Sequence, residues 1–217
     1  MLVVSYYLCQ ISIIGITFHL SYDIDRWGVE NMVNKSMSIL ASEIPFSHEQ
    51  NNEILKTFFS VVDYYKKHPN PGACHLISSI FYVLLKEQNI ENQLCLGEVK
   101  TGDKYFDHSW IEINGEVFDI AIQHTLDGSE NSLVYAGYEL LTGEKHNRIY
   151  GISSPVGLDM EAEMVKDTPF VVYMNGYPHF KDGAWKIVKD ISKELRLKLD
   201  IDVLKDKYKD TVRVLKS

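Results

Sequence analysis

Cysteine is scarce: Cys9, Cys74 and Cys95 are the three in 217 residues. An odd number, with no CxxC pair and no Cys/His pair at zinc-finger spacing, argues against a disulfide framework and a structural metal site. A reducing compartment fits this usage, and a cytoplasmic location is expected. Positive charge is also short, with 22 Lys and Arg against 30 Asp and Glu and a net charge of −8. Such a surface offers no general counter-charge to phosphate backbones, so nucleic acid is not expected as a partner. Neither Gly-x-x-x-x-Gly-Lys-Ser/Thr nor Gly-x-Gly-x-x-Gly occurs, which removes the usual grounds for nucleotide binding. Internal repeats, low-complexity tracts and linkers are missing as well. With 45% apolar residues the chain can bury a substantial core, and one domain over residues 1–217 is expected. Its core is placed at about 49–125, with a loop-rich and helical elaboration over 126–217.

Long apolar runs are limited to the start. Residues 1–20 carry no charged side chain, but Ser5, Gln10, Ser12, Thr17 and His19 interrupt them and no Lys or Arg precedes them. No A-x-A-like cleavage site follows before Asp23. The segment reads as a buried strand or helix, with a membrane anchor or export signal as the lesser alternative. Met32 and Met37 are alternative starts.

What the sequence does contain is periodic structure around Cys74. Ile54, Leu55, Phe58, Phe59, Val62 and Tyr65 recur at three and four, predicting a helix over 49–67 that stops before His68-Pro69. Asn70 offers an N-cap and Pro71 a first helical position for a second helix running to about Gln88, with Asn89 to end it. Leu76, Ile77, Ile80, Phe81, Val83, Leu84 and Leu85 make that helix apolar on most of its circumference, so it belongs inside the domain. Cys74 falls in its first turn, where unpaired N–H groups and the helix dipole favour a thiolate.

Strands are expected over 93–99, 105–113 and 116–122, each rich in aromatic and β-branched residues. Asn114-Gly115 between the last two is the signal for a two-residue type I′ turn. Counting from that turn pairs Ile113 with Glu116, Ile111 with Phe118, Trp110 with Asp119 and His108 with Ala121. His108, Trp110, Asp119 and Ala121 then share a face, and His108 and Asp119 become diagonal neighbours roughly 7–8 Å apart at the backbone. An imidazole and a carboxylate bridge that gap with one hydrogen bond.

Gly72-Ala73-Cys74-His75 through Leu85, then Asp107-His108-Ser109-Trp110-Ile111-Glu112-Ile113 and Val117-Phe118-Asp119, resemble the transglutaminase-like superfamily of papain-related cysteine enzymes. The likeness covers roughly residues 70–122. It implies an α+β fold in which a central helix carrying the cysteine packs on an antiparallel sheet carrying the histidine and aspartate. It also implies a catalytic triad: Cys74 as nucleophile, His108 as base and then acid, and Asp119 as the group that fixes the imidazole. The chemistry implied is acyl transfer through a thioester, most simply by a cysteine hydrolase of peptide or amide bonds. A protein or small-molecule acyltransferase of transglutaminase or arylamine type, and a non-catalytic peptide- or partner-binding member, are the alternatives. No cofactor or metal is required, and the expected partner is a peptide, protein or small amide substrate.

The Cys74 backbone N–H is the natural first oxyanion donor. Papain-like enzymes often place a glutamine six residues before the cysteine; here His68 stands there, so His68, Asn70 and Trp27 are the candidates for the second donor. Trp110 and His75, beside His108 and Cys74, are the substrate-side candidates. Taken singly, each member has a plainer explanation: a small core cysteine, a half-buried histidine beside a tryptophan, an aspartate at a strand edge. The ordered combination is what points to chemistry. Cys9 and Cys95 read as core residues, and a zinc site from Cys74, His75, His108 and His124 matches no metal spacing. Elsewhere, Asp127-Gly128-Ser129 reads as a turn, 135–173 as loops, 170–174 as a strand and 173–177 as a turn between strands. Helices are expected over 184–195 and around 203–208.

Overall fold

The computed structural model describes residues 36–70, 72–126 and 131–217. The expectations placed on residues 1–20, Cys9, Trp27, Met32, Pro71 and the 127–129 turn lie outside the described residues. Residues 36–217 form one compact unit, of mixed α+β architecture.

A short helix, α1, occupies 36–43 and buries Met37 and Ala41, one turn apart. Helix α2 (Asn51–Lys67) buries Ile54, Thr57, Phe58, Val61, Val62 and Tyr65, a single stripe at helical spacing. Glu53 in its first turn and Lys66 and Lys67 in its last complement the helix dipole. Helix α3 (Cys74–Lys86) is buried on nearly every side and lies against α2 on one side and the sheet on the other. It starts at Cys74 rather than at Asn70. Gly72 has φ +79°, a left-handed conformation that breaks the helical path, and Asn70 serves as a turn acceptor for the Ala73 N–H (3.1 Å) instead of as a cap. After Lys86 the chain leaves through Asn89 at φ 59°, the left-handed exit that asparagine tolerates.

The main sheet has the order β3-β2-β1-β6, from β1 (Gln93–Thr101), β2 (Lys104–Ile113), β3 (Glu116–Phe118) and β6 (Ile149–Ile152). The Asn114-Gly115 turn has positive φ at both residues, 53° and 82°, and sets the pairs Ile113 with Glu116 and Ile111 with Phe118. The pairing predicted beyond Phe118 does not form. Asp119 instead exchanges backbone hydrogen bonds with Val134, and Ala121–Gln123 turn into a 3-10 helix. That departure leaves β2 before Ile111 without a β3 partner.

The rest of the chain is more regular than its glycine and proline content suggests. Short strands β4 (Val134–Tyr135) and β5 (Tyr138–Glu139) form a second sheet, and β6 and helix α4 (Met160–Asp167) also lie in the stretch expected to be loops. The apolar run at 170 is not a strand, and 173–177 is not a strand turn. Both belong to helix α5 (Phe170–Asn175) and its end, with Phe170 and Met174 buried one turn apart. Helices α6 (Trp185–Glu194) and α7 (Ile201–Lys207) follow near the expected places. The antiparallel sheet also gains one parallel member: β7 (Val214–Lys216) pairs with Cys95 to Gly97 of β1.

The sheet has two apolar faces. Leu94, Ile111 and Ile113 join the large core with the helices, while Cys95, Val99 and Trp110 form a second cluster with Phe106, Val117 and Tyr150. Helices α6 and α3 are in contact, so the C-terminal elaboration is built into the same core. Gly97 lies opposite His108 across β1 and β2, and a Cβ there would stand 2.4 Å from the Lys216 carbonyl oxygen. Gly97→Ala is therefore expected to displace β7 and lower the unfolding free energy by about 1–3 kcal/mol, the usual cost of overpacking. Urea denaturation measures this as a lower midpoint.

Candidate active site

Asp119 is 1% exposed, and its carboxylate is engaged at both oxygens. Oδ2 accepts from His108 Nε2 at 2.7 Å and from the Tyr150 hydroxyl at 2.8 Å; Oδ1 accepts from the Ile122 N–H at 3.1 Å. The last bond reaches into the 3-10 turn that follows β3, so that turn also orients the carboxylate. His108 is 3% exposed, with the Phe106 ring edge-on to it at 5.6 Å. Since Nε2 is committed to Asp119, Nδ1 is the nitrogen left for Cys74. His108 and His75 are the two imidazoles that act on the Cys74 thiol.

Polar contacts on either side of Cys74 fix its position. His75 Nδ1 lies 2.7 Å from Ser109 Oγ, the Ser78 hydroxyl donates to the Ser109 carbonyl at 2.7 Å, and the Ser79 hydroxyl donates to the His75 carbonyl at 2.6 Å. The first two bonds pin the start of α3 to the residue after His108, and the third lies within the helix. On the other side, the Tyr65 hydroxyl donates to the Asn70 carbonyl at 3.0 Å and the Gly72 N–H donates to the His124 carbonyl at 3.4 Å.

The electrostatics follow from this arrangement. Burial alone pushes the Cys74 thiol up, but the His108 ring, with help from His75, outweighs it and brings the thiol down to about 5. Burial pushes His108 down, yet Asp119, with Cys74, carries it up to about 10. The pair thus rests as thiolate and imidazolium. Tyr65 is raised to about 12 by burial and by the charge of Cys74.

A cavity of about 1050 Å³ opens onto this constellation, with Cys74, His75, His108, Ala121 and Ile122 among its lining. Glu98, Asp107, Asp159 and Glu161 also line it, as do Lys104 and Arg148. Arg148 is held by Glu139 at 2.8 Å and Asn131 at 3.1 Å. Glu98 and Asp107 face one another across β1 and β2 and accept from the backbone N–H groups of Ser154 and Asp159, which tie the 154–159 segment to the wall.

Cys74, His108, Asp119 and His75 come together, and Asn70 lines the same cavity. His68 does not join them: it is exposed at the end of α2, its ring against Tyr64 at 4.8 Å. Trp110 is 0% exposed, its Nε1 donating to Glu112 at 3.0 Å, so it is a core residue and not a substrate contact. Sequence reasoning missed Tyr150, Arg148 and the 154–161 wall, which arrive from a stretch without readable periodicity. Among the described residues, no group of three His, Cys, Asp or Glu side chains is arranged to hold a metal ion. Likewise, no described helix is long and apolar enough to cross a membrane.

The ion pair predicts a pH profile. Alkylation of Cys74 by iodoacetamide, followed by peptide mass mapping, is expected to switch on as pH rises through about 5, well below the 8.5 or so of an unperturbed thiol. His108→Ala removes the larger lowering influence and is expected to move that onset upward. Comparison of the chain with protein-family models, with curated proteins and with solved structures finds no match.

Proposed function

We propose that this chain is a thiol-dependent acyl-transfer enzyme, a hydrolase of peptide or amide bonds acting through Cys74, His108 and Asp119 on a transglutaminase-like fold. The observation that carries the reading is a large cavity lined by both Cys74 and His108, with the His108 ring held by a buried carboxylate behind it and lowering the thiol in front of it. The order of the elements supports it: the cysteine begins a buried helix, the histidine sits in a strand and the aspartate follows a tight turn, as the superfamily resemblance implies.

In this reaction the Cys74 thiolate attacks the substrate carbonyl carbon, forming a C–S bond and moving the π electrons onto oxygen. The start of α3 is the place where that oxyanion gains stabilisation. His108 gives its Nδ1 proton to the leaving amine as the C–N bond breaks, leaving a thioester and a neutral imidazole held by Asp119. A water molecule then attacks the thioester while His108 takes its proton, and the acid departs as the thiolate and imidazolium are restored. The carboxylates of Glu98, Asp107, Asp159 and Glu161 outnumber Lys104 and Arg148 on the cavity wall, which favours substrates that are neutral or carry positive charge.

The test is acyl-enzyme trapping. The protein is incubated with a panel of acyl amides and peptides, including lysine- and arginine-bearing ones, then acid-quenched and read by intact mass. A substrate is expected to leave an acyl adduct on Cys74, released by water, and Cys74→Ala and His108→Ala are expected to lose roughly 10³-fold or more of turnover. Release by an added amine in preference to water assigns the transferase branch. Absence of any adduct, together with an ordinary thiol pH profile, overturns the enzyme reading in favour of a binding member of the fold.

A further inference from the structure

We propose that Tyr150 is a positioning residue of this site, setting how strongly His108 holds its proton through the carboxylate oxygen the two share. The proposal rests on the reading of Cys74, His108 and Asp119 as an acyl-transfer centre. Tyr150 stands on β6, which pairs with β1 and not with β2, yet its hydroxyl reaches Asp119 Oδ2 at 2.8 Å. That is the oxygen on which His108 Nε2 sits at 2.7 Å. A ring placed there for packing alone needs no hydroxyl. Its edge contacts with Trp110 at 5.1 Å and His146 at 5.1 Å are ones a phenylalanine also makes.

Two donors on one oxygen divide its negative charge. The phenol withdraws part of the charge that would otherwise hold the imidazolium proton, so it eases the step in which His108 delivers that proton to the leaving group. Burial and the adjacent Asp119 carboxylate keep the phenol protonated well above its ordinary range, so it stays a donor throughout the working pH range. Besides Asp119, the charged or titratable groups around Tyr150 are Arg148, Glu139 and His146. Those facing His108 are Asp119 and Cys74. Removing the phenol oxygen leaves His108 the remaining side-chain donor to Oδ2 and makes its proton harder to remove.

Tyr150→Phe tests this with the full chain. Cys74 alkylation by iodoacetamide, mapped by peptide mass, is followed from about pH 4 to about pH 12 to resolve the lower step of the thiol and the upper step of the imidazolium. The upper step is expected to move up by about one unit, the size of one hydrogen bond to a charged group, with the lower step in place. An upper step that superimposes on that of the unaltered chain overturns the role of Tyr150 and leaves the site reading standing. A single step near 8.5 in the unaltered chain overturns both. Should the variant fail to fold, the unaltered protein still decides by proton NMR. The shielded Tyr150 hydroxyl proton is expected to shift as His108 loses its proton, and a resonance that ignores that step overturns the proposal.

Discussion

One buried carboxylate organises this part of the molecule. Asp119 lies against His108 where water barely reaches, and a carboxylate in such a place costs several kcal/mol unless donors surround it. The donors come from three separate elements: His108 from β2, the Ile122 N–H from the 3-10 turn and the Tyr150 hydroxyl from β6. Its own backbone is paired with Val134 at 2.8 and 3.0 Å, which joins the second sheet to the first. Satisfying one charge therefore fixes the relative positions of segments that hydrophobic packing alone leaves free to slide. Buried pairs of this kind add little net stability compared with an apolar replacement.

Helix α3 supplies the other half. Because it is apolar all round it has nowhere to go but the centre, and that leaves its axial position and rotation to be set by a few polar contacts. Ser78 and His75 make those contacts with Ser109, the neighbour of His108, and Ser79 ties back to His75. Register between helix and strand is thus locked at the residues adjoining Cys74 and His108. The placement of the Cys74 sulfur relative to the His108 ring inherits that precision.

How much of this was legible depended on distance along the chain. The Asn114-Gly115 turn demands positive φ at two successive positions, which few residue pairs accept, so the β2–β3 register followed from local chemistry. The same counting went too far beyond Phe118. A hairpin rule cannot foresee that Asp119 will leave for Val134, a partner supplied from outside the hairpin. The Phe170 run misled for a different reason: Phe-Val-Val-Tyr is good strand material, and only its burial at Phe170 and Met174, spaced one helical turn apart, decides for a helix. Tyr150 gave no sequence signal at all, since its link to Asp119 spans 31 positions through short strands and turns.

The two described cysteines show why residue type alone was a poor guide. Both are buried, Cys74 at 8% and Cys95 at 0% exposure. Around Cys95, burial and the Glu112 carboxylate disfavour a thiolate and push the thiol up to about 12. Around Cys74 burial acts in the same direction, yet two imidazoles reverse the outcome. The chemistry of the site is therefore a property of how α3 meets β2, and any change that slides one against the other turns Cys74 back into the kind of cysteine that Cys95 is.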